Sequence, residues 1–235
     1  MMSKIYTIIA AGGLGTRLQN YDDSKKTKML LEINGESMIT KQISQLMSWN
    51  LEKFIVITNP NVDKLIKNEL NDKMPDLDIK YCLQEEQLGV AHALLQAEKL
   101  IEKNSKILYI LGDNFFENNP VANINLLNSN PTIFLKEVNK PEDFGVVELA
   151  DNKIKSIVEK PMNPQSNYIA VGLYLFDFDC FEYIKSIEKS ERGEYEITSL
   201  IEKYLHIGNL NYKFANGWWI DAGTPEAIKK IENLI

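Results

Sequence analysis

The chain has 235 residues, of which 44% are hydrophobic and 25% charged, a composition typical of a globular protein with a sizeable core. Its net charge of −7 argues against an extended nucleic-acid-binding surface, so any anion site must be local. The sequence begins without the apolar segment of a signal peptide, and no apolar run approaches the roughly 20 residues that span a bilayer. We therefore expect a cytoplasmic protein that binds neither nucleic acid nor membrane.

The first half of the chain alternates apolar strands with amphipathic helices. Strands are predicted at residues 5–11, 53–59, 79–84 and 106–114, and helices at 36–49, 62–72 and 89–101. This order is typical of an α/β fold with a doubly wound, mostly parallel, Rossmann-like sheet flanked by helices. The second half is more mixed. Shorter strands are predicted at 132–138, 144–150, 153–161, 168–177 and 211–221, and a helix at 196–208. No linker or repeat divides the chain, so we expect a single domain over residues 1–235.

The cysteines and histidines give no sign of a disulfide or zinc site. Cys82 and Cys180 both lie in hydrophobic stretches, which favours free thiols in a reducing compartment. Neither histidine has a partner at the spacing of metal ligands, so a histidine-based zinc site is not expected.

A glycine-rich loop, "AAGGLGTR", follows the first predicted strand. Gly12, Gly13 and Gly15 allow the backbone to approach phosphate oxygens closely, and Arg17 adds a charged partner. The Gly-Lys-Ser/Thr of a Walker loop is missing, and a dinucleotide fingerprint would need a glycine where Leu18 stands. The loop therefore predicts an anion site. An NAD-dependent oxidoreductase with an imperfect fingerprint is the less favoured alternative.

Several further motifs accompany this loop in a fixed order. They are "TKMLLEI", "LGDNFF", "FGVVEL", "EKPMNPQSNY", "GLYLFD", "RGEYEIT" and "WWIDAGT". With "AAGGLGTRL", they make the sequence resemble the sugar-1-phosphate nucleotidyltransferases, most closely the glucose-1-phosphate thymidylyltransferases. The resemblance covers roughly residues 5–230 and implies the nucleotide-diphospho-sugar transferase fold. It also implies that a sugar 1-phosphate attacks the α-phosphate of a nucleoside triphosphate and releases pyrophosphate, assisted by Mg²⁺.

The resemblance implies roles for particular residues in two halves of the domain. About residues 1–120 would bind the nucleotide, and about 121–235 the sugar phosphate. The catalytic cations would be Arg17, Lys28 and Lys160. The nucleotide would contact Gly12, Gly13, Gly15, Thr16, Gln84 and Gly89. The sugar phosphate would contact Gly145, Glu159, Ala170 and Arg192. The metal ligands would be Asp113 and Asp221, which offer the hard oxygen atoms that Mg²⁺ prefers.

Some positions depart from the family pattern. Glu32 stands where a proline is typical, and Phe144 where a tyrosine is common. The spacing from Arg17 to the next expected lysine is one residue longer than usual, so Lys25 or Lys26 could share the role of Lys28. We expect Trp218 and Trp219 to pack in the core, and we assign no role to His92.

The base and the sugar are left open by the sequence. The amide of Gln84 pairs with the imide edge that thymine and uracil share, which favours dTTP or UTP. A CTP- or GTP-dependent nucleotidyltransferase acting on another phosphorylated substrate is the alternative within the class. The sequence ends at Ile235, so we expect the short form that lacks the extra C-terminal helices, with simpler feedback or none; a homo-oligomer is left open.

Overall fold

The structure is a computed structural model that describes residues 4–13 and 27–235. The strands are β1 (Ile5–Ala10), β2 (Glu32–Ile33), β3 (Glu36–Ser37), β4 (Phe54–Thr58), β5 (Ile79–Leu83), β6 (Lys106–Leu111), β7 (Asn114–Phe116), β8 (Thr132–Glu137), β9 (Gly145–Ala150), β10 (Lys153–Glu159), β11 (Tyr168–Asp177), β12 (Asn211–Phe214) and β13 (Trp219–Asp221). The helices are α1 (Met38–Ser48), α2 (Asp63–Lys73), α3 (Val90–Leu95), α4 (Cys180–Ser186), α5 (Ile197–His206) and α6 (Pro225–Glu232).

Nine of the described strands form the main sheet, in which β10-β9-β11-β6-β1-β4-β5 are neighbours and β8 joins β11 to β12. The first half contributes β6, β1, β4 and β5, which are all parallel. In the second half β11 runs antiparallel to β6, β8 and β9, and β9 pairs antiparallel with β10. The predicted α/β class with a mostly parallel sheet in its first half is confirmed. Two short pairs, β7 with β13 and β2 with β3, lie outside the main sheet.

The core has two layers because both faces of the main sheet are covered. Neighbouring residues of a strand point to opposite faces, and Ile8 and Ile9 of β1 accordingly belong to different buried clusters. The cluster on one face includes residues of α1, α2 and α6, and the other includes residues of α3, α4 and α5. Burial on both faces explains why β1 and β4 read as continuous apolar runs rather than alternating ones.

Some predicted boundaries were wrong. The helix predicted at 89–101 ends at Leu95 and is followed by a separate 3-10 turn at Glu98–Leu100. The late strand predicted at 211–221 is two strands, β12 and β13, which pair with different partners. Cys82 and Cys180 are free thiols, as predicted. In the part of the chain that the structure describes, no helix combines the length and apolar character needed to cross a membrane.

Candidate active site

Four parallel strands end at the same edge of the main sheet. The residues that follow β1, β4, β5 and β6 there include Gly12, Asn59, Gln84 and Asp113. In open parallel sheets, ligands bind at this carboxyl edge. The described candidates from the first half therefore lie along the edge where a nucleotide would bind.

Gly12 is held tightly against the end of β4. The side-chain amide of Asn59 donates to the carbonyl oxygen of Gly12 at 2.6 Å. A Cβ atom on Gly12 would lie 3.0 Å from the carbonyl carbon of Thr58, so a larger residue would push the two strand ends apart. Sequence reasoning did not single out Asn59. The remaining candidates of this loop, Gly15, Thr16 and Arg17, and the lysines Lys25 and Lys26, lie outside the described residues.

Lys28 forms an ion pair with Asp113. Thr27 caps the 3-10 turn at Lys28–Leu30, which buries Met29 in the core and leaves the neighbouring lysine at the edge of the sheet. The side chains of Lys28 and Asp113 are only 17% and 12% exposed. Burial is the largest single influence and would raise the pKa of Asp113, but the charge of Lys28 and the hydrogen bonds from Lys28 and Asn114 together outweigh it, so the pKa is lowered from its ordinary value. A Cβ on Gly13 would lie 3.9 Å from Lys28 Nζ, so this charge lies beside the glycine loop.

The two predicted metal ligands come together through the β7–β13 pair. Asp221 lies opposite Asn114 in that pair, and the amide of Ala222 donates to the carbonyl oxygen of Asp113 at 2.7 Å. Among the described residues, no group of three or more His, Cys, Asp or Glu side chains could hold a metal. A pair of carboxylates nevertheless fits Mg²⁺, which keeps several waters and is completed by substrate phosphate oxygens.

Asn114 orients the side chain of Asp113. Its Oδ1 accepts hydrogen bonds from the amide of Gly172 at 3.0 Å and from Trp219 Nε1 at 2.8 Å. The amide nitrogen must therefore face the other way, and it donates to Asp113 Oδ1 at 2.9 Å. A Cβ on Gly172 would lie 2.8 Å from the Asn114 side chain, so this position admits only glycine without rearrangement. Trp219 packs against the core as expected, and its indole nitrogen also supports this network.

A pocket of about 150 Å³ lies beside this network and is lined mainly by residues of the second half of the chain, with Asn114 among those from the first half. The pocket is lined by the predicted metal ligand Asp221, by the predicted catalytic cation Lys160 and by the predicted sugar contacts Gly145, Glu159 and Ala170, among others. These residues come from the ends of β9, β10, β11 and β13. The structure thus brings one predicted metal ligand, one predicted cation and three predicted sugar contacts to a single cavity.

Glu159 is placed over Gly145, its partner in the β9–β10 pair. A Cβ at Gly145 would lie 3.6 Å from Glu159 Oε2, an ordinary contact, but only 2.7 Å from Cγ2 of Thr198, so the missing side chain makes room for Thr198. Thr198 Oγ1 donates to that oxygen at 3.2 Å. The next residue, Lys160, has a left-handed φ of 42°, and its amide donates to the carbonyl of Phe144 at 2.9 Å. A non-glycine residue in this conformation is uncommon and costs backbone strain, often at functional sites.

Arg192 lies among carboxylates and contacts two residues that line the pocket, Glu159 and Glu196. Its guanidinium is 3.4 Å from oxygens of Glu159 and Glu194 and 3.7 Å from Glu196. The arginine side chain is 41% exposed, whereas Glu196 is buried at 5%. The geometry brings Arg192 to Glu159, and hence to the pocket, but in the described structure its charge is shared among protein acids.

Gln84 and Gly89 lie in one turn between β5 and α3. The backbone amide of Gln84 donates to the carbonyl of Thr58 at 2.8 Å, and the residue is only 4% exposed. Gly89 has a φ of 103°, and a Cβ there would lie 2.7 Å from the carbonyl oxygen of Tyr195. Only glycine meets both conditions, which explains the residue type independently of any ligand.

Comparisons with known proteins identify the family and the fold. The family model described as nucleotidyl transferase matches residues 6–235. A glucose-1-phosphate thymidylyltransferase of Neisseria meningitidis is 34% identical over 236 residues, which cover 97% of this chain and 81% of that protein. A crystal structure from Bacillus anthracis, assigned as a glucose-1-phosphate thymidylyltransferase and bound to sucrose, superposes with a TM-score of 0.87 at 32% identity and covers 98% of this chain and 94% of that one. A UDP-glucose pyrophosphorylase structure with a TM-score of 0.84 and 22% identity, covering 99% and 98% of the two chains, shares the fold.

Proposed function

The chain belongs to the nucleotidyl transferase family, and we propose that it joins a nucleoside triphosphate, dTTP or UTP, to a sugar 1-phosphate and releases pyrophosphate. One observation carries this proposal. The Lys28–Asp113 pair from the first half lies next to Asn114, which lines the same pocket as Asp221 and Lys160 from the second half. Two polyanionic substrates could therefore meet at one edge of the sheet.

The proposed reaction needs charge and positioning rather than a protein nucleophile. An oxygen of the sugar phosphate forms a bond to the α-phosphorus of the nucleotide, while the bond to the departing pyrophosphate breaks. In this proposal Lys28, with Arg17, neutralises the triphosphate, and Lys160, with Arg192, holds the sugar phosphate. Glu159 accepts hydrogen bonds from sugar hydroxyl groups.

Mg²⁺ is the proposed cofactor, and Asp113 and Asp221 would hold it. When bound, the ion polarises the α-phosphate and offsets the charge that develops on it. The protein contributes to that site before any ion binds. Lys28 keeps the Asp113 carboxyl ionised, and Asn114 fixes the direction of one of its oxygens.

The alternatives are not favoured. An NAD-dependent oxidoreductase is not favoured, because the matching family and the named relatives are nucleotidyltransferases. A CTP- or GTP-dependent enzyme is likewise not favoured against the thymidylyltransferase relatives. A homo-oligomer remains a prediction.

The test of the proposed function is a matrix of five nucleoside triphosphates against several sugar 1-phosphates, with Mg²⁺ and detection of pyrophosphate. We expect release with dTTP or UTP, and a drop of roughly 100-fold or more in kcat for Asp113→Ala, because a charge-stabilising group is lost at the reacting phosphate. The matched control is Asp72→Asn, whose side chain is 76% exposed and which should keep wild-type turnover.

Two outcomes would contradict this proposal. Release with CTP or GTP alone would overturn the base assignment. Near-normal turnover of Asp113→Ala with Mg²⁺ would remove Asp113 from the mechanism, provided that circular dichroism shows the variant to be folded.

A further inference from the structure

His92, for which the sequence suggested no role, contacts two glutamine side chains in the structure. Its Nδ1 lies 3.1 Å from Nε2 of Gln84, and its Nε2 lies 3.1 Å from Nε2 of Gln96. The imidazole also stacks on the ring of Tyr195, with 6.0 Å between centroids. These contacts join α3 to the turn where the base is expected and to the segment that carries Arg192.

The orientation of the Gln84 amide is fixed by its partners. A carbonyl oxygen only accepts hydrogen bonds, so the contact of 3.0 Å with the Gly89 carbonyl requires the nitrogen of the amide on that side. The second hydrogen of the same nitrogen then faces His92 Nδ1. No described residue donates a hydrogen bond to Gln84 Oε1. This oxygen is also not one of the fully buried side-chain oxygens that lack a partner, so it is not sealed inside the protein. Gln84 therefore offers a hydrogen-bond acceptor, and no donor, to a ligand.

A neutral imidazole has one lone pair, and two amide nitrogens face the ring. Gln84 is buried and its second N–H has no other described acceptor, so leaving it unpaired would be costly. Gln96 is half-buried, and its nitrogen already donates to the backbone carbonyl of His92 at 3.0 Å. The lone pair is therefore assigned to Nδ1, facing Gln84. The ring hydrogen then lies on Nε2, and Gln96 accepts it by turning the oxygen of its amide toward the ring.

The surroundings keep the ring neutral. Burial is the largest influence and lowers the pKa of His92 below its ordinary value of 6.5. The carbonyl and carboxylate of Glu86 act in the opposite direction, whereas the ammonium of Lys189 lowers the pKa further. Tyr195 is the other titratable side chain that the structure places against the ring.

We propose that His92 is a positioning residue that sets the base selectivity of the nucleotide site. This inference rests on the proposed function and on the expected role of Gln84. With its nitrogen held by Gly89 and His92, the amide of Gln84 presents only oxygen, which accepts from the N3–H of uracil or thymine. Cytosine bound in the same register brings the lone pair of its own N3 to that oxygen and is repelled. Turning the amide over to suit cytosine would break both bonds to its nitrogen.

The test compares kcat/KM for UTP, or dTTP if that is the better substrate, with kcat/KM for CTP at a fixed sugar 1-phosphate. His92→Leu frees the Gln84 amide, and we expect the ratio to fall about tenfold, mainly through a higher KM for the preferred nucleotide. His92→Asn should restore the ratio to within about threefold, because its side-chain oxygen can accept near the position of Nδ1. Gln96→Leu, which removes the other ring contact and the hydrogen bond to the backbone carbonyl of His92 but no contact of Gln84, should leave the ratio unchanged.

A second measurement does not depend on the folding of a variant. Protonation of His92 removes the lone pair, so the wild-type ratio should fall as the pH drops through the pKa of His92, which lies below its ordinary value of 6.5, while the ratio for His92→Asn stays flat. A folded His92→Leu with an unchanged ratio, or a wild-type ratio that is flat with pH, would overturn the role of His92. Absence of pyrophosphate from every substrate pair of the wild-type protein would instead contradict the proposed function.

Discussion

Glu159 shows how a single residue can carry a cost in stability at a candidate site. Burial, and then the nearby carboxylate of Glu196, raise its pKa above the ordinary value of 4.5. Lys160, the hydroxyl of Thr198 and Arg192 all lower it, but they do not fully compensate. The ionised carboxylate is therefore less favourable in the folded protein than in the unfolded chain, as expected of a group arranged to meet a ligand.

Replacing this carboxylate should stabilise the protein while impairing its activity. Below pH 4.5 Glu159 is protonated in both the folded and unfolded states, so Glu159→Gln and the wild type should melt alike. As the pH rises through the raised pKa, Glu159 of the wild type ionises and destabilises the folded state, whereas the variant has no carboxyl to ionise. The variant should therefore have a higher Tm than the wild type, and this difference should persist at pH values above the pKa. Thermal melts from pH 4 to 8, with turnover assays at pH 8, measure both effects.

Glu148→Gln is the matched control for this prediction, because it lies in the strand that pairs with the strand of Glu159. Lys155 is the main influence that lowers the pKa of Glu148, so its carboxylate stabilises the folded state above pH 4.5 and loses that effect as the pH falls through the lowered pKa. Its variant should therefore melt at the same temperature as the wild type or slightly below it at neutral pH. A Glu159→Gln protein that is less stable than the wild type at pH 8 would contradict our account.

Functional residues that stand out from their immediate sequence neighbours could be predicted, whereas the partners of long-range contacts could not. The glycines after the first strand stood out because a run of them interrupts an apolar segment. Asn59 did not, because its bond to Gly12 joins residues 47 positions apart. His92 likewise resembles any half-buried helix residue until the partners of its ring are known. A single sequence without pairing information leaves such contacts invisible.

At the scale of elements, the turn that carries Gln84 and Gly89 is joined to the segment that carries Arg192. The amide of Tyr195 donates to the carbonyl of Leu88 at 2.7 Å, and the carbonyl of Tyr195 accepts from the amide of Ala91 at 3.1 Å. This contact requires close approach of two backbones, which the absence of a side chain at Gly89 permits. Movement of either element would be transmitted to the other.

Gly89→Ala should separate these elements. The new Cβ would meet Tyr195 O at 2.7 Å and the left-handed φ of 103° would add backbone strain, so we expect a loss of about 2–4 kcal/mol in the free energy of unfolding. Gly35→Ala, at a φ of 80° with open space around its Cβ, is the control and should cost only about 1 kcal/mol. Urea denaturation measures both. Equal losses in the two variants would show that the contact with Tyr195 does not matter.

Most long elements were predictable, and the misses have physical causes. The four parallel strands follow from short apolar runs, and α1, α2 and α5 follow from apolar residues at helical spacing, both of which are local patterns. β7 was missed because the fourth strand was predicted to end at Asn114, and α4 and α6 were not predicted. β12 and β13 were merged because apolar residues continue across both, although Gly217 with a φ of 77° lies between them. Only their different partners, β8 and β7, separate them.

At the scale of the whole molecule, the two halves are parts of one sheet. β6 from the first half pairs with β11 from the second over five residues, from Leu173 opposite Ile110 to Asp177 opposite Lys106. The alternation of strands and helices predicted the class of this fold but not the strand order. Strand order depends on pairing between strands that are distant in sequence. Nothing local in the sequence indicates that β11 pairs antiparallel with β6. The candidate site arises at that junction, beyond the carboxyl end of β6.

We proposed that the first half binds the nucleotide and the second half the sugar 1-phosphate. Because both halves belong to one sheet, the KM for each substrate can test this proposal. Lys160 lines the pocket in the second half, so Lys160→Ala should raise the KM for the sugar 1-phosphate about tenfold or more and change the KM for the nucleotide less than about threefold. Gln84→Ala should show the reverse pattern, because Gln84 lies at the nucleotide edge. Steady-state kinetics with each substrate varied in turn measures both values.

Lys153→Ala provides the control for Lys160→Ala, because Lys153 is exposed at the opposite end of β10 and lies outside the pocket that Lys160 lines. Its kinetics should match the wild type. If Lys160→Ala and Gln84→Ala instead raise both KM values together, the substrates are not bound by separate halves. Since the connection through β6 and β11 is continuous and buried, the pocket should keep its shape in either variant, and each KM should report a lost contact rather than a displaced half.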